Sequence, residues 1–185
     1  MNTSRHRFSD DFALPGDGFL LRPWRRSDLD ALVAHANDAE VARGLADRFP
    51  FPYTHEDGER FLAGEVVDFS DPVLAIEVDG RACGGINAHP GSAERAHSAE
   101  LGYWLGSALW GRGLMTRAVG VFAPWAMREL RLYRLYAGVF DFNAASARVL
   151  EKNGFEEEGA QRCAVVKRGR LHDLRMFAKV RTTLD

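Results

Sequence analysis

The feature that most constrains the fold is a junction between a predicted strand and a predicted helix in residues 101–125, LGYWLGSALWGRGLMTRAVGVFAPW. Gly111 and Gly113 stand at this junction, where a residue without a Cβ lets the backbone adopt positive φ or approach a ligand closely. The first turn of the following helix presents unpaired N–H groups and the positive end of the helix dipole. The junction therefore predicts a loop that binds a phosphate group through its backbone.

Several kinds of loop compete for this stretch. Residues 106–113 have the glycine spacing of a P-loop, but Arg112 and Gly113 replace the Lys and Ser/Thr that a P-loop requires. Residues 111–116 begin like a dinucleotide-binding fingerprint, but Thr116 occupies the position of its third glycine. An ordinary strand–loop–helix connection is the remaining alternative on the loop alone. Features elsewhere in the sequence are needed to distinguish these kinds of loop.

Composition excludes several classes of protein. The 185 residues are 46% apolar and 27% charged, which is typical of one globular domain. Because 24 basic residues face 26 acidic ones, we expect neither a nucleic-acid nor a membrane partner. Cys83 and Cys163 are widely separated, and no His-Glu-x-x-His is present, so we expect no metal site. Without an apolar leader or a membrane-spanning run, the sequence predicts a cytoplasmic protein.

The apolar pattern predicts a flexible lead over residues 1–17 and one domain over residues 18–185. Predicted strands cover residues 18–24, 72–78, 83–89, 98–105, 132–140, 155–162 and 170–180. Predicted helices run from a capping box at Ser27 to Asn37, from the cap Thr54 with Asp57, from Arg112 to Glu129 with a kink at Pro124, and from the cap Asn143 to Gly154.

This order predicts an α/β (α+β) fold with a central mixed, mostly antiparallel sheet and helices on both faces. The strand at 98–105, the helix after it and the strand at 132–140 form a predicted parallel crossover of right-handed sense. The glycine loop then lies at the carboxyl end of the first of these strands, where open sheets bind ligands.

The element order, with WGRGLMTRA at 110–118 and NAASARVLEKNGF at 143–155, resembles the GNAT superfamily of N-acetyltransferases. FLLRPWRRSDLDAL at 19–32, FPFPYTHEDGERFL at 49–62 and the stretch at 98–119 resemble its RimJ/RimL branch, which acetylates ribosomal-protein N-termini. The resemblance covers about residues 18–181 and implies acetyl-CoA as co-substrate. It also implies a peptide or protein α-amino group as acceptor, and often a homodimer. A small-molecule acetyltransferase and a silent acyl-CoA-binding module are the alternatives.

The resemblance implies that acetyl-CoA lies in a V-shaped opening between the strands at 98–105 and 132–140. It places the pantetheine arm against the backbone of Trp104 and Leu105, and the pyrophosphate on the amides from Gly111 to Thr116. Asn143 corresponds to an asparagine that contacts the coenzyme, although a helix N-cap explains it equally. The residues thus assigned to coenzyme binding are Trp104, Leu105, Gly111, Arg112, Gly113, Leu114, Met115, Thr116, Asn143, Ser146 and Lys152.

Three positions depart from the family pattern. Trp110 occupies the Gln/Arg position of the coenzyme loop, and Met115 occupies its second Gly/Ala position. Leu150 replaces the tyrosine that protonates the leaving thiolate in many relatives. We therefore expect Ser146 or Tyr103 to serve as the donor, unless a thiol of pKa about 8.5 leaves as thiolate unaided.

The attacking amine must be neutral, and an α-amino group, with a pKa of about 7.7–8, loses its proton more readily than lysine, at about 10.4. Glu100 alternates with Gly102 and Trp104 on one face of its strand, and we expect it to accept the amine proton directly or through water. A cross-strand surface charge is its alternative role. An aromatic segment that holds Phe49, Phe51 and Tyr53 either lines an acceptor pocket or covers the core.

Overall fold

The computed structural model of the chain describes residues 8–9 and 11–182. Its strands are β1 (Leu14–Gly16), β2 (Phe19–Pro23), β3 (Val73–Val78), β4 (Arg81–Pro90), β5 (Ser98–Leu105), β6 (Arg134–Phe140), β7 (Glu156–Lys167) and β8 (Arg170–Val180). Its α-helices are α1 (Leu29–Ala36), α2 (Ala39–Arg43), α3 (His55–Leu62), α4 (Leu114–Glu129) and α5 (Ala144–Lys152). Among the described helices, none is both long enough and apolar enough to span a membrane.

The strands form one mixed sheet in the order β1-β2-β3-β4-β5-β6-β8-β7. The pairs β1–β2, β2–β3, β3–β4, β6–β8 and β7–β8 are antiparallel, whereas β5 and β6 are parallel. The predicted α/β fold and the predicted parallel connection through α4 are therefore confirmed. By residue packing the described chain divides into two compact units, one holding residues up to Asn87 with Tyr103–Phe122 and the other holding Ala88–Gly102 with the residues from Ala123 onward.

The first unit is built around an apolar core beneath α1 and α3. α3 begins with the predicted capping box, since the Thr54 N–H donates to Asp57 Oδ2 (2.9 Å) and the Asp57 N–H donates to Thr54 Oγ1 (3.2 Å). Hydrogen bonds from Thr54 lower the pKa of the Asp57 carboxyl. The core side chains are Trp24, Leu32, Ala36, Tyr53, Leu62, Phe69, Ala75 and Ala82.

A buried ion group joins β2, β3 and the start of α1. Arg22 is only 2% exposed, and its Nη1 and Nη2 donate to the Asp28 carboxylate at 2.7 and 2.8 Å. Its Nε donates to the Glu77 carboxylate. Asp28 also accepts the Arg25 N–H at 2.8 Å. The predicted cap at Ser27 is therefore wrong. A short 3₁₀ turn over Arg26–Asp28 precedes α1, and the side chain of its last residue, Asp28, binds Arg22 instead of capping the helix.

Two elements of the first unit have no counterpart in the prediction. β1 lies within the predicted flexible lead, where Leu14 pairs with Leu21 of β2 across a turn with Gly18 at φ +79°. Residues 1–7 and 10 of that lead lie outside the described part. α2 is N-capped by Asp38, which accepts the Glu40 N–H at 2.8 Å, and its five residues are too short for a 3.6-residue pattern to show.

In the second unit, α5 follows β6 as predicted. Asn143 is its N-cap, and the chain leaves the helix through Gly154 at φ +74°, which a residue with a Cβ adopts only with strain. Leu150 on α5 is fully buried, as are Leu135 of β6 and Phe177 of β8. β8 spans the predicted residues 170–180, whereas β7 continues past residue 162 to Lys167, because its polar residues face solvent along a two-stranded hairpin.

Candidate functional site

The glycine loop of the first unit connects β5 to α4. The Gly106 N–H donates to the Cys83 carbonyl at 2.8 Å, and a 3₁₀ turn over Ser107–Leu109 follows. Gly111 has φ +74° and Gly113 has φ +70°, which confirms the predicted need for glycine. A Cβ on Gly111 would have no atom within 4 Å, so the backbone conformation rather than crowding requires glycine there.

Arg117 braces the loop from the first turns of α4. Its Nη1 donates to the Arg112 carbonyl at 3.1 Å, and its Nε donates to the Asp17 carbonyl at 3.1 Å, which ties the loop to the β1–β2 turn. The helical hydrogen bonds begin with the Arg117 N–H to the Gly113 carbonyl (3.1 Å), so the Leu114 amide lies before them, in the first turn of the helix. This end of α4 has the geometry in which helices bind anions.

Trp110 closes the loop onto the end of β5. Its indole Nε1 donates to the Leu105 carbonyl at 2.7 Å. The residue that departs from the Gln/Arg pattern thus supplies a hydrogen-bond donor of its own. This hydrogen bond holds Trp110, which directly precedes Gly111, against the end of β5.

Trp110→Phe keeps an aromatic ring but deletes the donor to Leu105. A neutral hydrogen bond of this kind stabilises by about 0.5–1.5 kcal/mol, so we expect acetyl-CoA affinity to fall by about 2–10-fold. Isothermal titration calorimetry measures this change. Trp110→Arg restores a donor and should retain more of the affinity. Retained affinity in Trp110→Phe together with a loss in Trp110→Arg would mean that ring packing, not the hydrogen bond, supports the loop.

Trp104 directs its side chain into the aromatic core of the first unit. It stacks on Trp24 with ring centroids 6.5 Å apart and meets Phe49 edge to face at 5.5 Å. Gly85 makes room for it, because a Cβ there would lie 2.8 Å from the Trp104 Nε1. Tyr53 is also a core residue, and burial raises its pKa to about 12. Of the predicted aromatic segment, Phe51 is 49% exposed, and its acceptor role stays a prediction.

Other polar contacts of the loop have no signal in the sequence. The Ser107 hydroxyl donates to the Asp38 carboxylate, and this hydrogen bond lowers the pKa of Asp38. His35 lies against Gly106, where a Cβ would be 2.4 Å from the His35 Nδ1. Burial, followed by the charge of Arg81, lowers the pKa of His35. These partners are about 70 residues apart in the chain, which is why local patterns did not identify them.

In the second unit, the parallel ladder of β5 and β6 is short. It joins Ser98–Glu100 to Arg134–Tyr136, and the exposed Glu100 is paired with Tyr136 at its end. Leu101 and Gly102 continue β5 beyond this ladder. On its other edge β6 pairs with β8 throughout its length. The backbone edge of β6 that faces β5 is therefore bonded over only three residues.

The connection between β6 and α5 holds two of the predicted coenzyme residues. The Asn143 Oδ1 accepts the Ser146 N–H at 3.2 Å, which confirms the helix cap and leaves the amide Nδ2 as a donor for a ligand. Leu150 is fully buried, so it packs in the core. Lys152 is exposed in the last turn, about 13 Å along the helix axis from Asn143. Within the described residues, no group of three His, Cys, Asp or Glu side chains is arranged to hold a metal ion.

Residues 19–156 match the family model described as "Acetyltransferase (GNAT) domain". This match covers most of the chain, and the protein belongs to the GNAT acetyltransferase family, whose acetyl donor is acetyl-CoA. The predicted family is therefore confirmed.

Curated relatives match about half of their length or a little more. "Probable N-acetyltransferase YjcK" of Bacillus subtilis (strain 168) is 43% identical over 81 residues, which cover 44% of this chain and 45% of the relative. "Putative ribosomal N-acetyltransferase YdaF" of the same organism is 33% identical over 110 residues, 60% of each chain. Among solved structures, "RimL- Ribosomal L7/L12 alpha-N-protein acetyltransferase in complex with Coenzyme A" has a TM-score of 0.82 at 22% identity, covering 91% of this chain and 98% of its own, and shows the shared fold.

Proposed function

We propose that the protein is an acetyl-CoA-dependent N-acetyltransferase that acetylates the α-amino group of a peptide or protein. The observation that carries this proposal is the loop between β5 and α4, in which Gly111 and Gly113 adopt left-handed φ directly before a helix N-terminus. This arrangement suits a pyrophosphate, and the family uses acetyl-CoA. The names of YdaF and RimL support a ribosomal or protein acceptor.

In this proposal the coenzyme is bound mainly by backbone groups. The pyrophosphate accepts from amides in the range Gly111–Thr116, and the pantetheine arm contacts the backbone of Trp104 and Leu105. The Trp104 side chain is packed into the core, which supports a role for its main chain rather than its ring. Asn143 contributes its amide Nδ2. Exposed Arg112 and Lys152 supply positive charge for the coenzyme phosphates.

Transfer requires attack by a neutral amine on the thioester carbonyl and stabilisation of the oxyanion that forms. The Leu105 N–H is the proposed oxyanion donor. Ser146 or Tyr103 protonates the departing thiolate, because Leu150 is an apolar core residue. Glu100 is exposed and available as a proton acceptor. We further propose that the protein is cytoplasmic. Because members of the family are often dimers, we also propose a homodimer, which sedimentation would test.

A protein N-terminus continues as an extended chain that needs an open groove, whereas a small amine can be enclosed. We therefore expect peptides with free N-termini to give higher kcat/KM than free amino acids, polyamines or aminoglycosides, read as thiol release from acetyl-CoA. The control is the same peptide with a blocked N-terminus and an internal lysine, which should be inactive. The reverse ranking would identify a small-molecule acetyltransferase, and coenzyme binding without turnover of any amine would identify a silent binding module.

A further inference from the structure

A histidine–aspartate pair lies at the carboxyl end of β6 in the second unit. The His172 Nδ1 is 3.0 Å from the Asp141 Oδ1, and the ring meets Phe142 edge to face at 4.8 Å. A carboxylate only accepts hydrogen bonds, so Nδ1 carries the proton and the neutral ring has its lone pair on Nε2. No described residue provides a hydrogen-bond partner for that Nε2. His172 is partly buried, with 21% of its side chain exposed.

The backbone holds Asp141 in place for this contact. The Asp141 N–H donates to the Asp173 carbonyl at 3.1 Å, and the Asp173 N–H donates to the Asp141 Oδ2 at 3.4 Å. Partial desolvation opposes ionisation, but the hydrogen bond with His172 and those from the backbone outweigh it and lower the pKa of Asp141. The carboxylate is therefore charged at neutral pH. It can orient the imidazole and stabilise its protonated form.

The pair is anchored to the same turn as the proposed thiolate donor. Asp141 directly follows β6, the Asn143 N–H donates to the Phe140 carbonyl at 2.8 Å, and Asn143 then caps the Ser146 N–H. In the tetrahedral intermediate the attacking nitrogen and the leaving sulfur are bonded to one carbon. The groups that exchange protons with these two atoms must therefore lie close together.

Glu100 is placed differently along the sheet. Its ladder partner Tyr136 precedes Phe140 by four residues, a distance of about 13 Å along a strand. If Ser146 serves the sulfur, Glu100 reaches the nitrogen only through intervening water, whereas His172 is held at the turn that Ser146 follows. The geometry therefore favours the histidine as the nearer base.

We propose that His172, oriented by Asp141, accepts the proton that the acceptor amine loses during acetyl transfer. This inference rests on the proposed function. The protonated acceptor first loses one proton to the His172 Nε2, which passes it to solvent, and the freed amine lone pair forms the N–C bond. The C–S bond breaks with its electron pair leaving on the coenzyme sulfur, and the second amine proton passes to that sulfur through the proposed donor Ser146. Asp141 is a positioning residue, since it acts through the imidazole.

The charged groups around the ring favour this role. Asp141 faces it from the β6–α5 turn, whereas Asp173, the next residue on β8, uses its carboxylate to accept the Cys163 N–H at 2.8 Å. The β7 partner of His172 is the uncharged Val165, and Arg170 lies two residues earlier on β8. Asp141 is the carboxylate in contact with the ring, and it is placed to stabilise the positive charge that the ring gains with the proton.

The test compares His172→Gln, His172→Asn, Asp141→Asn and Glu100→Gln with the best peptide acceptor. We expect both His172 variants to lose about 10²–10⁴-fold in kcat/KM at neutral pH with unchanged acetyl-CoA affinity by calorimetry. The loss should shrink above the amine pKa of about 8, where more acceptor arrives neutral. Asp141→Asn should show a smaller loss with the same pH dependence. His172→Asn retains a donor toward Asp141 and guards against a folding defect in the first variant.

Two results would overturn the inference while the proposed function stands. One is near-normal kcat/KM in a folded His172 variant of an enzyme that acetylates peptides, and the other is a loss that does not change with pH. A large, pH-dependent loss confined to Glu100→Gln would assign the proton to that carboxylate instead. Failure of the wild-type protein to acetylate any amine while still binding acetyl-CoA would remove the proposed function and this inference together.

Discussion

Gly113→Val is expected to abolish measurable acetyl-CoA binding while the protein stays folded. Gly113 has φ +70°, a conformation that a β-branched residue adopts only at a cost of about 1–3 kcal/mol, and a Cβ there would lie 3.4 Å from the Arg117 Nη1. Relief of that strain would move the amides before α4 away from the pyrophosphate. Isothermal titration calorimetry with acetyl-CoA measures the loss, and circular dichroism verifies the fold.

Gly80→Val is the matched control for this variant. Gly80 has φ +76° in the β3–β4 turn, with no atom within 4 Å of a built Cβ, so the substitution imposes the same backbone strain in the same unit. We expect a similar loss of stability with acetyl-CoA affinity retained. Unchanged affinity in Gly113→Val, or equal losses in the two variants, would remove the coenzyme role of the loop.

The second large effect concerns the buried ion group of the first unit. Asp28→Ala leaves the guanidinium of Arg22, which is 2% exposed, with Glu77 as its remaining carboxylate. Removing one partner of a buried ion pair typically costs about 3–5 kcal/mol. We expect the free energy of unfolding, measured by urea denaturation, to fall by about this amount.

Glu40→Gln tests whether the loss at Asp28 reflects burial. Glu40 pairs with Arg43 at 3.4 Å on the exposed surface of α2, where such pairs contribute less than about 0.5 kcal/mol. The triple variant Arg22→Met, Asp28→Leu, Glu77→Gln removes all three charges and should recover much of the lost stability. A small effect of Asp28→Ala would show that water reaches the group in solution.

The parts of the fold that were predicted correctly depend on local chemistry. Thr54 with Asp57 and Asn143 with Gly154 mark helix ends through hydrogen bonds and backbone conformations that involve residues a few positions apart. The positive φ of Gly111 and Gly113 could be predicted for the same reason, because the turn itself sets the backbone conformation of these residues. Residue patterns of this range identify caps, turns and the ends of strands.

The features that the sequence did not reveal depend on tertiary contacts that no local residue pattern specifies. Asp28 looked like part of a helix cap, yet its carboxylate binds the buried Arg22 of β2. β1 was hidden in a polar segment because its pairing with β2, rather than an apolar run, defines it. His172 and Asp141 are 31 residues apart, and only the register of β6 against β8 brings them together.

The hydrogen bonds of Arg117 connect the loop that we propose binds the coenzyme with the outer edge of the sheet. Arg117 reaches across 100 residues of sequence to Asp17 while also holding the Arg112 carbonyl. If acetyl-CoA binding orders this loop, it also stabilises the docking of the β1–β2 hairpin. Docking of the hairpin then strengthens acetyl-CoA binding by the same free energy, because such coupling is reciprocal. During synthesis the β1–β2 hairpin is made about 100 residues before Arg117. The loop and the sheet edge can therefore be completed only after Arg117 has been made, so we expect both to form late in folding.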